Sequence, residues 1–154
     1  LPSNPKFVPV IDQELTEVDY GSWSGRKLAV LSRNKMWKTV QESPSRMYFP
    51  GGEGIAQMQS RAMKSVHEAV SSKAKGSVVI VSHGDVIKSI VASALGMHLD
   101  EFQRIVIDPA SISILDFSTT KPRTLLLNDS RSVVTELLVA PKRSKNLLGG
   151  GAGR

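Results

Sequence analysis

Residues 78–91, VVIVSHGDVIKSIV, run four apolar side chains into Ser82-His83-Gly84, and helical spacing begins directly afterwards. An imidazole between the end of a strand and the start of a helix points to one kind of chemistry. The helix start offers unpaired N–H groups and the positive end of its dipole. Gly84 lets a backbone come close, and His83 adds a further donor. Such a corner suits a phosphate or another oxyanion. A histidine that only packs at a strand end is the structural alternative, but the strand, the glycine and the helix start coincide here, and that favours the oxyanion.

A second candidate is Glu17, in LTEVDYGSWSG at 15–25. Beside Tyr20 and Trp23 its carboxyl group would be partly desolvated, which raises a carboxyl pKa towards proton donation at neutral pH. Judged on this segment alone, a capping or surface glutamate is the simpler reading. Asp19 and Asp85 are equally ambiguous, although Asp85, in the first turn of its helix, suits a partner for the helix dipole. His67 lies off the apolar stripe and reads as exposed, and His98 sits in a turn with no partner that can be named. The three histidines form no i, i+4 pair, so there is no metal motif. No nucleophile elbow, Walker loop or dinucleotide fingerprint is present, and no cofactor is called for. Ser82 and His83 are neighbours on a strand and point to opposite faces, so they are not a nucleophile–base pair.

Several elements must position these residues. FVPVI (7–11) is a strand candidate that Pro9 confines to an edge. Residues 26–42, with Leu28, Leu31, Met36, Trp37 and Val40, form one broken helix or two short ones, and the prolines and glycines of 43–54 make a loop. From Glu53 to about Lys75, Ile55, Met58, Ala62, Val66 and Ala69 line one helical face. SVVIVS (77–82) has the continuous β-branched character of a strand buried on both faces. A second helix follows, with Gly96 at its end. After a DEFQR turn, RIVID, SISILDF and RTLLLND supply three more strand candidates. These elements add up to an α/β layered domain with a largely parallel sheet, whose ligand sites form beyond the carboxyl ends of the strands.

The chain of 154 residues suits one domain, and its 40% hydrophobic content is ordinary for a globular protein. No window approaches the roughly 18 apolar residues of a membrane span. Without cysteine there are no disulfides or thiolate-metal sites, and the default compartment is the cytoplasm. The net charge of +6 is concentrated in KRSKNLLGGGAGR, residues 142–154. That stretch is a basic, Gly-rich tail (141–154), expected to be disordered and to lie outside a domain at 1–140. Over the rest of the chain the charge is nearly balanced and does not point to nucleic acid.

Taken together, LTEVDYGSWSGRKL, FPGGEGIAQMQSRA, VVIVSHGDVIKSIVASALG and LLLND resemble the histidine phosphatase superfamily, in its phosphoglycerate-mutase-like branch. The SHGDVIK…DEFQRIVIDPASIS run is similar to a subgroup described as probable phosphomutases or phosphatases. The resemblance implies a three-layer sheet with helices on both faces. It implies that His83 binds and stabilises the transferring phosphoryl group, that Gly84 lends its N–H, and that Glu17 is the general acid. Glu53 would organise loop and helix, paired with Arg61. The substrate would be a phosphorylated small molecule, transferred through a phosphohistidine without metal. The family's Arg-His-Gly strand, whose histidine is the nucleophile, has no counterpart in this sequence. The expectation is therefore an N-terminally truncated fragment, inactive by itself, with an exposed strand edge. The alternative is a non-catalytic module that binds a phosphate ligand or a protein. Oligomeric state is not legible.

Overall fold

The computed structural model describes residues 8–72 and 76–132; the 141–154 tail lies outside the described residues. Two short helices, α1 (Leu28–Leu31) and α2 (Trp37–Glu42), precede two longer ones, α3 (Ile55–Ser71) and α4 (Gly84–Ala94). A hairpin of β1 (Ile112–Asp116) and β2 (Arg123–Asp129) follows, and short 3-10 turns fill the connections.

α3 and α4 form where the apolar period of the sequence places them. Ile55, Met58, Ala62 and Val66 are buried on α3, and Val86, Ile90, Val91 and Ala94 on α4. The side chain of Gln57 accepts from the Gly54 N–H at 3.0 Å, one half of a capping box, and satisfies a donor at the start of α3. Gly96 follows α4 at φ +68°, the left-handed position that a glycine adopts without strain. The two helices lock together around Ser89. Its Oγ donates to the Val86 carbonyl at 2.8 Å and lies 3.4 Å from Met58 Sδ, while Gln59 Nε2 donates to the Ser89 carbonyl at 3.0 Å. Ser89 is therefore fully buried yet satisfied. The core continues under α4 to Leu99, Phe102 and Ile105, and under α3 to Met47 and Phe49.

The strands depart from the sequence reading. Among the described residues there is one sheet, two-stranded and antiparallel, in place of a largely parallel one. SISILDF and RTLLLND supply its strands, but RIVID (104–108), 77–82 and the described part of FVPVI do not pair. One face of the 77–82 run is also open to solvent, with Val79 79% and Val81 90% exposed, while Ile80 packs against the core. A strand exists only where neighbours take up its N–H and C=O groups. Among the described residues no strand pairs with 77–82. Residues 26–42 resolve into two short helices, as the broken pattern allowed.

Met58 is 0% exposed and touches both helices of this frame, so Met58→Ala is expected to lower the unfolding free energy by ~2–5 kcal/mol. Val79→Ala should change it by less than about 0.5 kcal/mol. Urea denaturation of the two variants checks both values, and a Val79 cost near that of Met58 would contradict the exposed placement of 77–82.

Candidate functional site

His83 is the N-cap residue of α4, in extended conformation, and its carbonyl accepts from Ile87 N–H at 2.9 Å. Its side chain caps nothing, and the residue is exposed. Gly84 opens the helix. No protein atom lies within 4 Å of the place a Gly84 Cβ would occupy, so protein packing does not require a glycine there.

Glu17 is half-buried on the loop between two 3-10 turns, and its Oε1 accepts from the Val18 N–H at 2.9 Å. Of the two aromatic residues expected beside it, Tyr20 lies near enough to feel the Glu17 charge. Trp23 packs at 5.4 Å edge-to-face with Phe49 and at 6.3 Å against Trp37. Two hydrogen bonds tie the Glu17 loop to the Ser-His-Gly corner. Ser82 Oγ donates to the Leu15 carbonyl at 2.7 Å, and the Tyr20 hydroxyl donates to Asp85 Oδ2 at 3.0 Å. One bond precedes Glu17 and His83 in sequence and the other follows both, so the pair is bracketed. The two residues singled out in the sequence therefore belong to one locality.

The sequence missed both tethers. The sequence marks Ser82 only as a neighbour of His83, and Asp85 as an ambiguous carboxylate suited to the helix dipole. Asp85 does lie in the first turn of α4, 3.5 Å from Lys88 Nζ, but it also accepts a hydrogen bond from the Tyr20 hydroxyl. Burial, reinforced by the negative charges of Asp85 and Glu17, pushes the Tyr20 phenol well above its ordinary pKa. Tyr20 therefore keeps its proton and remains a donor at neutral pH.

The loop is fixed from the other side by Arg61, on α3. Its Nε and Nη2 meet the two carboxylate oxygens of Glu53 at 3.0 and 2.6 Å, a bidentate pair. Nη1 donates to the Glu14 carbonyl at 2.6 Å and Nη2 to the Glu17 carbonyl at 3.2 Å. Glu53 Oε1 in turn accepts from Asp19 N–H at 3.0 Å. Glu53 is thus the loop-helix organiser that the sequence suggested. Burial alone would raise its pKa. The Arg61 hydrogen bonds, the Asp19 N–H and the guanidinium charge outweigh that, and hold it below its ordinary value.

Two glycines allow the loops to meet. A Cβ at Gly52 would overlap the Asp19 carbonyl oxygen, and one at Gly21, which sits at φ +51°, would overlap the 50–52 backbone. Of the other histidines, His67 is exposed and edge-on to Phe117 at 6.4 Å. His98 does have a partner: its Nδ1 lies 3.2 Å from both the Asp100 N–H and Asp100 Oδ2. Among the described residues no group of three or more His, Cys, Asp or Glu is arranged to hold a metal ion. None of the helices among them is long and apolar enough to cross a membrane.

Beside the corner lies a cleft of about 580 Å³, lined at one side by Tyr20, Asp85 and Lys88 and elsewhere by Trp23, Leu28 and Trp37. Neither His83 nor Glu17 lines it.

Comparison with known proteins gives the site its context. The sequence profile described as Histidine phosphatase superfamily (branch 1) matches residues 4–130. Phosphoserine phosphatase 1 of Hydrogenobacter thermophilus is 27% identical over 126 residues, 80% of this chain and 60% of that protein. The probable phosphoglycerate mutase GpmB of Erwinia tasmaniensis is 28% identical over 109 residues, 70% of this chain and 51% of that protein. The structure of Bacillus stearothermophilus YhfR superposes with a TM-score of 0.69 at 24% identity, covering 77% of this chain and 60% of that one. The chain thus shares an α/β fold with a protein of known structure, and spans half to three fifths of the length of these relatives.

Glu53→Gln is expected to cost ~1–3 kcal/mol at pH 7, the range for hydrogen bonds to charged groups. A depressed carboxyl pKa stabilises the fold above the unfolded value, and that contribution is lost as pH falls through the folded value. The difference between the two proteins should therefore shrink as pH drops below the ordinary 4.5. Chemical denaturation at a series of pH values reads it, and a gap that stays constant down to acid would contradict the role given to Glu53.

Proposed function

Because the chain belongs to the histidine phosphatase superfamily, we propose that its Ser-His-Gly corner binds the phosphoryl group of a small phosphate ester, with Glu17 as the proton donor to the leaving oxygen. The observation that carries this reading is the pair of tethers, Ser82 to Leu15 and Tyr20 to Asp85, which hold the Glu17 loop against the start of α4. His83 and the Gly84 N–H would take the phosphate oxygens, aided by the positive end of an eleven-residue helix. Glu17 would protonate the departing alkoxide and later take a proton from water. In a phosphohistidine route the ester P–O bond breaks as an N–P bond forms on a second histidine, and water then cleaves that N–P bond. The open space around Gly84 also supports the assignment, since packing gives no reason for a glycine there.

The 154 residues contain no Arg-His-Gly, the sequence that would carry the nucleophile. By itself this chain should therefore bind phosphate without turning over a phosphomonoester. The same observation favours a second reading, in which the corner serves recognition of a phosphorylated ligand and no catalysis.

Three variants test the site. Millimolar phosphate should raise the Tm of the chain, as any ligand of the folded state does. His83→Ala should abolish the rise. Gly84→Ala should leave the fold intact, because no protein atom crowds its Cβ, yet diminish the rise. Glu17→Gln should retain it, since Glu17 moves a proton and does not hold the anion. A rise that survives in His83→Ala would place phosphate elsewhere. Steady phosphate release from phenyl phosphate above the His83→Ala background would contradict the inactivity of the chain.

A further inference from the structure

The cleft beside the corner is far larger than a phosphate needs. At about 580 Å³ it falls within the ~300–1,000 Å³ typical of sites for whole small molecules. Its surface is mostly apolar, with Trp23, Leu28, Leu31, Trp37, Val40 and Phe49 contributing side chains. Trp23 and Trp37 present nearly parallel rings, 20° apart. The polar side is already engaged: Lys88 Nζ lies 3.5 Å from Asp85 and donates to Gln103 at 3.2 Å, while Tyr20 donates to Asp85. Tyr20 and Asp85 line the cleft and also form one of the tethers at the phosphate corner, so the two regions are continuous.

Resting on the phosphate-ester reading above, we propose that this cleft receives the organic half of the ester, and that this half is aromatic or broadly apolar. A small zwitterion such as an amino acid would bring an ammonium and a carboxylate against tryptophan and leucine side chains. Over most of the cleft those charges would lose their water against apolar side chains. Asp85, Lys88 and Gln103 are bonded to one another at one side of the cleft, so a zwitterion would have to compete with those bonds. A ring, by contrast, buries apolar area and can meet Trp37, the more accessible of the two tryptophans, in the offset or edge-on arrangements that aromatic groups prefer. Leu28 is 70% exposed at the cleft although it is a large apolar residue. An apolar ligand would cover it, and nothing in its own packing does.

The chain's two tryptophans both line the cleft, so intrinsic fluorescence reports directly on its occupancy. Phenyl phosphate, phosphoserine, inorganic phosphate and phenol are titrated against the 154-residue chain. Phenyl phosphate should shift the tryptophan emission and bind about tenfold or more tighter than phosphoserine, the scale set by burying one ring. Leu28→Ser, at an exposed position that the fold does not need, should reduce that preference severalfold. Equal binding of phenyl phosphate and phosphoserine would overturn the inference while leaving the phosphate corner standing, as would a preference that survives undiminished in Leu28→Ser. Phenol binding as tightly as phenyl phosphate, with no response to inorganic phosphate, would instead overturn the phosphate reading on which the inference rests.

Discussion

The Arg61 guanidinium uses its Nε, Nη1 and Nη2 atoms to hold one turn of chain. It anchors Glu53 through two bonds, the Glu14 and Glu17 carbonyls through one each, and Glu53 passes the constraint on to Asp19. A loop rich in small residues has no packing of its own strong enough to keep one conformation. Here the fixed fork of an arginine supplies the geometry, at a site shielded enough for charge-assisted bonds to matter. Were this pair removed, the backbone that carries Glu17 would lose its reference to α3, and with it any fixed relation to His83.

That relation depends equally on how α3 meets α4. Arg61 and Met58 sit one turn apart on α3, and Met58 packs against Ser89 one and a half turns into α4. The same helix pair therefore positions both halves of the candidate site, Glu17 through Arg61 and His83 through the start of α4. Ser82 and Tyr20 close the circuit from the loop side. The glycines at 21 and 52 admit the close approach of two backbones that this circuit requires. Helix packing thus becomes site geometry.

Much of this was legible in the sequence, and for a clear reason. α3 and α4 are long and amphipathic, and their apolar period survives any tertiary context. The Ser-His-Gly corner stood out by residue type and spacing, whereas Glu17 and the Glu53–Arg61 pair came forward only through the family resemblance. The strand at 77–82 was not, because an apolar β-branched run states what a segment needs, not whether a neighbour pairs with it. RIVID failed for the same reason, whereas SISILDF and RTLLLND, close enough in sequence to pair with each other, became β1 and β2. The tethers escaped notice because Tyr20 and Asp85 are 65 residues apart, and Ser82 and Leu15 are 67 apart. The cleft escaped because Trp23 and Trp37 lie on different elements, where no local period links them.

The central claim is that phosphate sits at the His83–Gly84 corner, facing the loop that Arg61 fixes. Backbone amide shifts, followed by NMR while inorganic phosphate is titrated into the chain, test it most directly. The Gly84 and Asp85 amides should move furthest and saturate together, with smaller changes along 15–20. Shifts spread over surface lysines and arginines, with Gly84 unmoved, would contradict it.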